Sequence, residues 1–303
     1  METLLADILS QCRDQIAKGK VASYIPQLAK ADPEKFGICV VDEAGNLHTS
    51  GAAKQKFALQ SIVKPIILLT ALWDSGEDKV RALAGVEATG KPFDTFNYSD
   101  RALSAEHINP MINTGAIAMC TLISGKDYEE KFRRLLGMVR YLSGNPSLDV
   151  DQAVYLSEKE TGHKNRALAY LLKAYGLIDD AIEPLVDCYF KACSIAADCT
   201  DLAKIAYVFA YGRSPDGQVM VAPAYVRYVN ATLMTCGMYD GSGEFALNVG
   251  FPAKSGVGGG ILGVVPRRMG IGVYNPALDP KGNSIAGIKA LTLLSEQQNL
   301  SIF

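Results

Sequence analysis

The sequence predicts a mixed α/β (α+β) fold: one sheet assembled from both ends of the chain, terminal helices covering it, and a helical part inserted between. Three observations predict it. Strand-like segments occur near residues 37–60 and return only after about residue 240, helix-like runs fill the interval, and amphipathic helix patterns stand near both ends. The 303 residues suit a single domain with a substantial core. Two parts are expected within it: residues 1–70 with 215–303 as the sheet part, and 71–214 as the helical part.

Leu5, Ile8, Leu9, Cys12 and Ile16 recur at helical spacing and give the first helix its apolar face. Residues 37–41 (GICVV) read as a short buried strand, and 42–46 (DEAGN) as a hairpin-like turn into a second strand. Residues 56–60 are strand-like, and 61–73 (SIVKPIILLTALW) read as a buried helix. Pro65 is compatible with that helix, because a first-turn proline lacks only an N–H that has no intrahelical partner. Helix-like runs follow over 114–122, 128–142, 151–160, 165–175, 182–192 and 200–211. Late in the chain, 254–257 is expected at a sheet edge, and 261–265 and 269–274 are strands joined by a turn at Pro266-Arg267-Arg268. A closing helix starts near Ser284, with Asn283 or Ser284 as its cap.

The bulk properties exclude several function classes. Apolar residues make up 49% and charged residues 20%, and the net charge of −2 gives no reason to expect nucleic acid or a membrane surface as partner. No segment has the length and apolarity of a membrane span, and the N-terminal stretch lacks a signal-peptide pattern, so a cytoplasmic address is expected. The seven cysteines include no C-x-x-C pair and read as buried reduced thiols. Three scattered histidines argue against zinc, and the missing G-x-S-x-G argues against a Ser-His-Asp hydrolase. Gly258, Gly260 and Gly263 fit G-x-G-x-x-G, but the segment runs on as strand where a dinucleotide site needs a helix. No P-loop occurs, so no cofactor and no metal are expected.

Chemistry is carried by Ser61-Ile62-Val63-Lys64, an S-x-x-K tetrad. A serine hydroxyl becomes a useful nucleophile only when a base takes its proton. On a helix, positions i and i+3 share a face, so Lys64 lies one turn from Ser61. A lysine among Ile62, Ile66 and Ile67 has its charged form destabilised and can act as a base. Lys254-Ser255-Gly256 on a late strand supplies the second half of a pattern found in serine β-lactamases and penicillin-binding proteins. The glycines after it allow the close backbone approach that an oxyanion hole requires.

The motifs extend further. Gly19-Lys20-Val21-Ala22 and Tyr24-Ile25-Pro26-Gln27-Leu28 come first, followed by Leu59-Gln60-Ser61-Ile62-Val63-Lys64-Pro65 and Asn109-Pro110-Met111-Ile112-Asn113-Thr114-Gly115-Ala116. Ser157-Glu158 with Asn165, Asp187-Cys188-Tyr189-Phe190, Cys236-Gly237-Met238-Tyr239, Pro252-Ala253-Lys254-Ser255-Gly256-Val257 and Gly282-Asn283-Ser284 complete the set. Over nearly its whole length the chain resembles the serine-dependent glutaminases, in their short bacterial form. The resemblance implies a β-lactamase/transpeptidase-like fold with an antiparallel sheet, and hydrolysis of L-glutamine to L-glutamate and ammonia. It implies Ser61 as nucleophile, Lys64 as its base, Tyr239 in proton transfer, and an oxyanion hole from the Ser61 and Val257 N–H groups. Whether Lys64 or Tyr239 accepts the first proton stays open. Tyr24, Gln60, Asn113, Glu158, Asn165 and Tyr189 are implied around the substrate, with Lys254 and Ser255 in support. A homodimer or homotetramer is implied as well.

The substrate's own chemistry fits this set. Glu158 can pair with the α-ammonium, Asn113 and Asn165 can donate to the α-carboxylate, and Tyr24 and Tyr189 add hydroxyls on rigid rings. Each also has a plainer reading: Asn113 and Asn165 as helix caps, Glu158 as half of a surface ion pair, the tyrosines as core residues. A β-lactamase or D-Ala-D-Ala peptidase on the same scaffold would need no Glu158–Asn113–Asn165 set. A glutamine-sensing module would need no Ser61–Lys64 pair. Asparagine differs from glutamine by one methylene, worth a few kcal/mol of discrimination at most.

Overall fold

The computed structural model describes residues 1–89 and 104–303. Along the chain run α1 (Glu2–Cys12), β1 (Gly37–Val41), β2 (Leu47–Gly51), the two-residue β3 (Phe57–Ala58), α2 (Lys64–Ser75) and α3 (Glu77–Leu83). The middle is helical: α4 (Asn113–Thr121), α5 (Tyr128–Ser143), α6 (Gln152–Thr161), α7 (His163–Ala174) and α8 (Ile182–Cys193). The short β4 (Ala196–Ala197) then leads into α9 (Cys199–Tyr211), α10 (Pro223–Cys236) and α11 (Ser242–Asn248). The chain closes with β5 (Ala253–Ser255), β6 (Gly260–Val265), β7 (Met269–Tyr274) and α12 (Ile285–Gln298).

The main sheet has the order β2-β1-β7-β6-β5, antiparallel at every pairing. Strands from both ends of the chain meet where β1 pairs with β7, Cys39 opposite Gly272. Side chains alternate across this sheet, and both faces are buried. Ile38, Val40, Ile261, Ile271 and Val273 face a core completed by α1 and α12. Cys39, Val41, Leu262 and Val264 face the larger core built around α2 and α9. Two glycines on β7 explain how α9 lies so close. A Cβ at Gly270 would stand 2.2 Å from the Ala203 carbonyl oxygen, and one at Gly272 would stand 2.2 Å from that of Cys199.

The interval 71–214 contains helices, as its periodicity predicts, but α9 within it packs on the sheet; residues 90–103 of that interval lie outside the described residues. Helix α2 is apolar on nearly every side, and Lys64 to Leu72 are all buried, as expected of a helix enclosed by α3, α4, α5 and α10. The helix predicted from Ser61 starts three residues later: Gln60–Val63 form a 3₁₀ turn, and α2 proper begins at Lys64. Three further helices, α3, α10 and α11, went unrecognised in the sequence. Ser284, not Asn283, caps α12, accepting from the Gly287 N–H at 3.2 Å. All seven cysteines are buried and free. No helix among the described residues is long and apolar enough to cross a membrane.

Candidate active site

Ser61 sits in the 3₁₀ turn between β3 and α2, 7% exposed, beside the edge strand β5. The residue before it is strained: Gln60 has φ +50°, a left-handed conformation that costs a side-chain-bearing residue about 1 kcal/mol. Its side chain is held in return. Gln60 Nε2 donates to Glu158 Oε2 at 3.0 Å and to the Cys193 carbonyl at 3.4 Å. One turn on, Lys64 is fully buried at the start of α2, and its Nζ donates to Asn113 Oδ1 at 2.6 Å.

Asn113 opens α4, but the N-cap position is Ile112, so the asparagine side chain serves something other than the helix end. Its Oδ1 also accepts from the Tyr189 hydroxyl at 3.4 Å, and its Nδ2 donates to Asn165 Oδ1 at 2.8 Å. These contacts fix which way the amide faces. Asn165 is the third residue of α7, half-buried, and likewise not a cap. Glu158 on α6 is buried against Gln60 and Ser194 rather than lying on the surface. Burial pushes its carboxyl up to about 7, against the lowering effects of the Gln60 bond, the Lys64 charge and Ser194.

Tyr239 opens a second 3₁₀ turn, Tyr239–Gly241, and has φ +54°. Two strained positions thus stand close to one candidate serine. The buried Tyr239 hydroxyl faces the Ser61 side chain and the Val257 N–H, and burial raises its pKa. Val257 follows β5 directly. Lys254 and Ser255 lie on β5, both fully buried. Lys254 Nζ donates to the carbonyls of Gly237 (2.9 Å) and Ser255 (2.8 Å), and burial, then the Lys64 charge, holds it well below the ordinary lysine value. The Ser255 hydroxyl has no hydrogen-bond partner among the described residues, whereas its backbone N–H bonds the Gly237 carbonyl at 3.2 Å.

Thus Gln60, Ser61, Lys64, Asn113, Glu158, Asn165, Tyr189, Tyr239 and Val257 are gathered from seven helices or turns and one strand end. Tyr24 is 57% exposed, and its neighbours Ile25 and Leu28 pack with Tyr239 and Val257. A cavity of about 300 Å³ borders Tyr239, lined also by Met111, Ile112 and Cys236. Ser61 and Lys64 are not among its lining residues. Four residues at the site had drawn no functional reading. Ser194 faces Glu158, the Cys193 thiol meets the Tyr189 hydroxyl, and Ser242 and Asn283 hold the Tyr239 turn. Only Cys193 carried a usable signal, being four residues after Tyr189 on the same helix face.

Comparisons with known proteins identify the family of this chain. The family model described as Glutaminase matches residues 19–303. A glutaminase of Clostridium botulinum (strain Loch Maree / Type A3) is 49% identical over 305 residues, covering 100% of both chains. One of Clostridioides difficile (strain 630) is 48% identical over 304 residues, covering 100% of this chain and 98% of its own. A probable glutaminase from Bacillus subtilis, solved in complex with 6-diazo-5-oxo-L-norleucine, superposes with TM-score 0.91 at 34% identity, covering 100% of this chain and 97% of that one.

Proposed function

This chain belongs to the glutaminase family and is a glutamine amidohydrolase; on that premise we propose that it works through a γ-glutamyl ester on Ser61. Neutral Lys64 takes the Ser61 proton as Oγ attacks the side-chain amide carbon. The carbonyl oxygen becomes an oxyanion held by the Ser61 and Val257 N–H groups. The C–N bond then breaks, and the nitrogen leaves as ammonia with a proton passed back from Lys64 by way of Tyr239. Water attacks the ester, its proton returns along the same groups, and glutamate leaves with Ser61 restored.

One observation carries this reading: the Tyr239 hydroxyl faces both the Ser61 side chain and the Val257 N–H, so these three residues meet at one point. Burial keeps the Tyr239 phenol protonated at neutral pH, which favours Lys64 as first acceptor and Tyr239 as relay. Glu158 receives the α-ammonium, and Asn165, Asn113, Tyr189, Gln60 and Tyr24 complete the substrate's surroundings. The structure solved for Bacillus subtilis glutaminase YbgJ, covalently joined to 5-oxo-L-norleucine, is consistent with covalent chemistry in a relative of 33% identity.

The test is ammonia and glutamate release by wild type and Ser61→Ala side by side, with mass spectrometry of acid-quenched wild type. The mutant is expected to lose release by at least 10³-fold, and the quenched enzyme to carry one glutamyl group that the mutant lacks. A Ser61→Ala protein of near wild-type rate would end the serine mechanism while leaving the family assignment intact.

A further inference from the structure

We propose that Lys254 is a positioning residue for the reaction: it clamps the Gly237–Tyr239 turn to β5 and so holds the Tyr239 hydroxyl at Ser61 and Val257. This inference rests on the proposed part of Tyr239 in proton transfer.

Tyr239 needs a clamp. Its φ of +54° is a conformation that a tyrosine leaves unless its surroundings hold it. The turn is tied on its far side by backbone-directed bonds: Ser242 Oγ accepts from the Met238 N–H at 3.1 Å and donates to the Tyr239 carbonyl at 2.9 Å, and Asn283 Nδ2 donates to the Met238 carbonyl at 3.3 Å. On the near side, the Gly237 carbonyl accepts both the Ser255 N–H and Lys254 Nζ, while the same Nζ bonds the Ser255 carbonyl. Lys254 Nζ also lies 4.3 Å from the centre of the Tyr239 ring. One amine therefore touches the base of the turn, the strand and the face of the catalytic candidate's ring.

The choice of residue supports the assignment. A fully buried amine is costly, and an apolar side chain of the same length would fill this volume at lower cost. The partners of Lys254 are two carbonyl oxygens and a ring rather than a carboxylate, so the amine is not there to balance a buried anion. Its donors instead link β5, from which Val257 emerges, to the turn that carries Tyr239. A displacement of about 1 Å in a reacting group can cost 10²-fold in rate, so such a link has kinetic consequences.

The experiment is a double-mutant cycle with Lys254→Met and Tyr239→Phe, measuring kcat and KM for glutamine with circular dichroism as the check on folding. Lys254→Met is expected to lower kcat at least tenfold with KM within threefold of wild type. In the Tyr239→Phe background the same change is expected to lower kcat less than threefold, because no hydroxyl is left to position. Lys254→Gln, which keeps an N–H donor at shorter reach, is expected to fall between wild type and Lys254→Met. If Lys254→Met does not fold, the glutamine variant is read through the same cycle. Rate losses that multiply in the double mutant, or a Lys254 variant of wild-type kcat beside an impaired Tyr239→Phe, would overturn the Lys254 assignment alone. A fully active Tyr239→Phe would instead remove the role of Tyr239 on which it rests.

Discussion

Glu158→Gln is expected to make the protein more stable near pH 8 while removing most of its activity. The buried carboxyl has its pKa pushed from 4.5 up to about 7 by desolvation. A raised carboxyl pKa means the folded protein holds the proton more tightly than the unfolded chain. The associated stability is fully present below pH 4.5 and is lost as pH rises through about 7. The span from 4.5 to about 7, at ~1.4 kcal/mol per pH unit, amounts to ~3 kcal/mol. Glutamine has the same shape, carries no charge, and can still accept from Gln60 Nε2, so the mutant escapes this loss. With an unfolding entropy of ~2.1 cal/mol/K per residue, the difference corresponds to a Tm gain of ~5 °C at pH 8. At pH 4.5 the two proteins should melt together. In the assay, the α-ammonium of glutamine meets a neutral amide, and kcat/KM is expected to drop by about 10²-fold, the order lost when a buried charge partner is removed. Wild-type kcat/KM should rise with pH through about 7 as Glu158 ionises, and the mutant should lack that limb. Parallel melting curves from pH 4.5 to 8, or a mutant less stable than wild type at pH 8, would refute the burial argument.

Two further outcomes follow from distances at the site. Asn113→Asp places a carboxylate against Lys64 where a neutral amide oxygen now accepts at 2.6 Å, which stabilises the ammonium form and removes the base; kcat is expected to fall by roughly 10²-fold with folding retained, read from steady-state kinetics and thermal melts. Gly256→Ala puts a Cβ 2.6 Å from the Leu59 carbonyl oxygen and 3.0 Å from Ile62 Cγ1, forcing the β5 end away from the Ser61 turn. Separating Val257 from Ser61 in this way is expected to lower kcat by about 10²-fold with a smaller change in KM, and an alanine variant of unchanged kcat would show that the oxyanion site tolerates the shift.

The element pattern was readable wherever burial imposed a period. The strands GICVV, GILGVV and MGIGVY are short apolar runs between turns, and the helices of the middle carry wide apolar stripes. Helix α10 escaped because Pro223 and its polar residues Arg227, Asn230, Thr232 and Thr235 blur the stripe, although Pro223 stands at the helix start where proline is favoured. The boundary at Ser61 was misplaced because a 3₁₀ turn and an α-helix bury the same residues here, and only hydrogen bonding separates them.

Motif order determined the family and the fold class and pointed to the side chains proposed to carry the chemistry, because nucleophile, base and charge partner need particular functional groups in any fold. Tertiary structure decided what those groups do to one another. That Asn113 faces Lys64 rather than capping α4, that Glu158 is buried enough to titrate near neutrality, and that Lys254 spans β5 and the Tyr239 turn are all contacts between residues far apart in the chain. Such contacts depend on desolvation and on distances of a few ångströms, and no local pattern in the sequence encodes either.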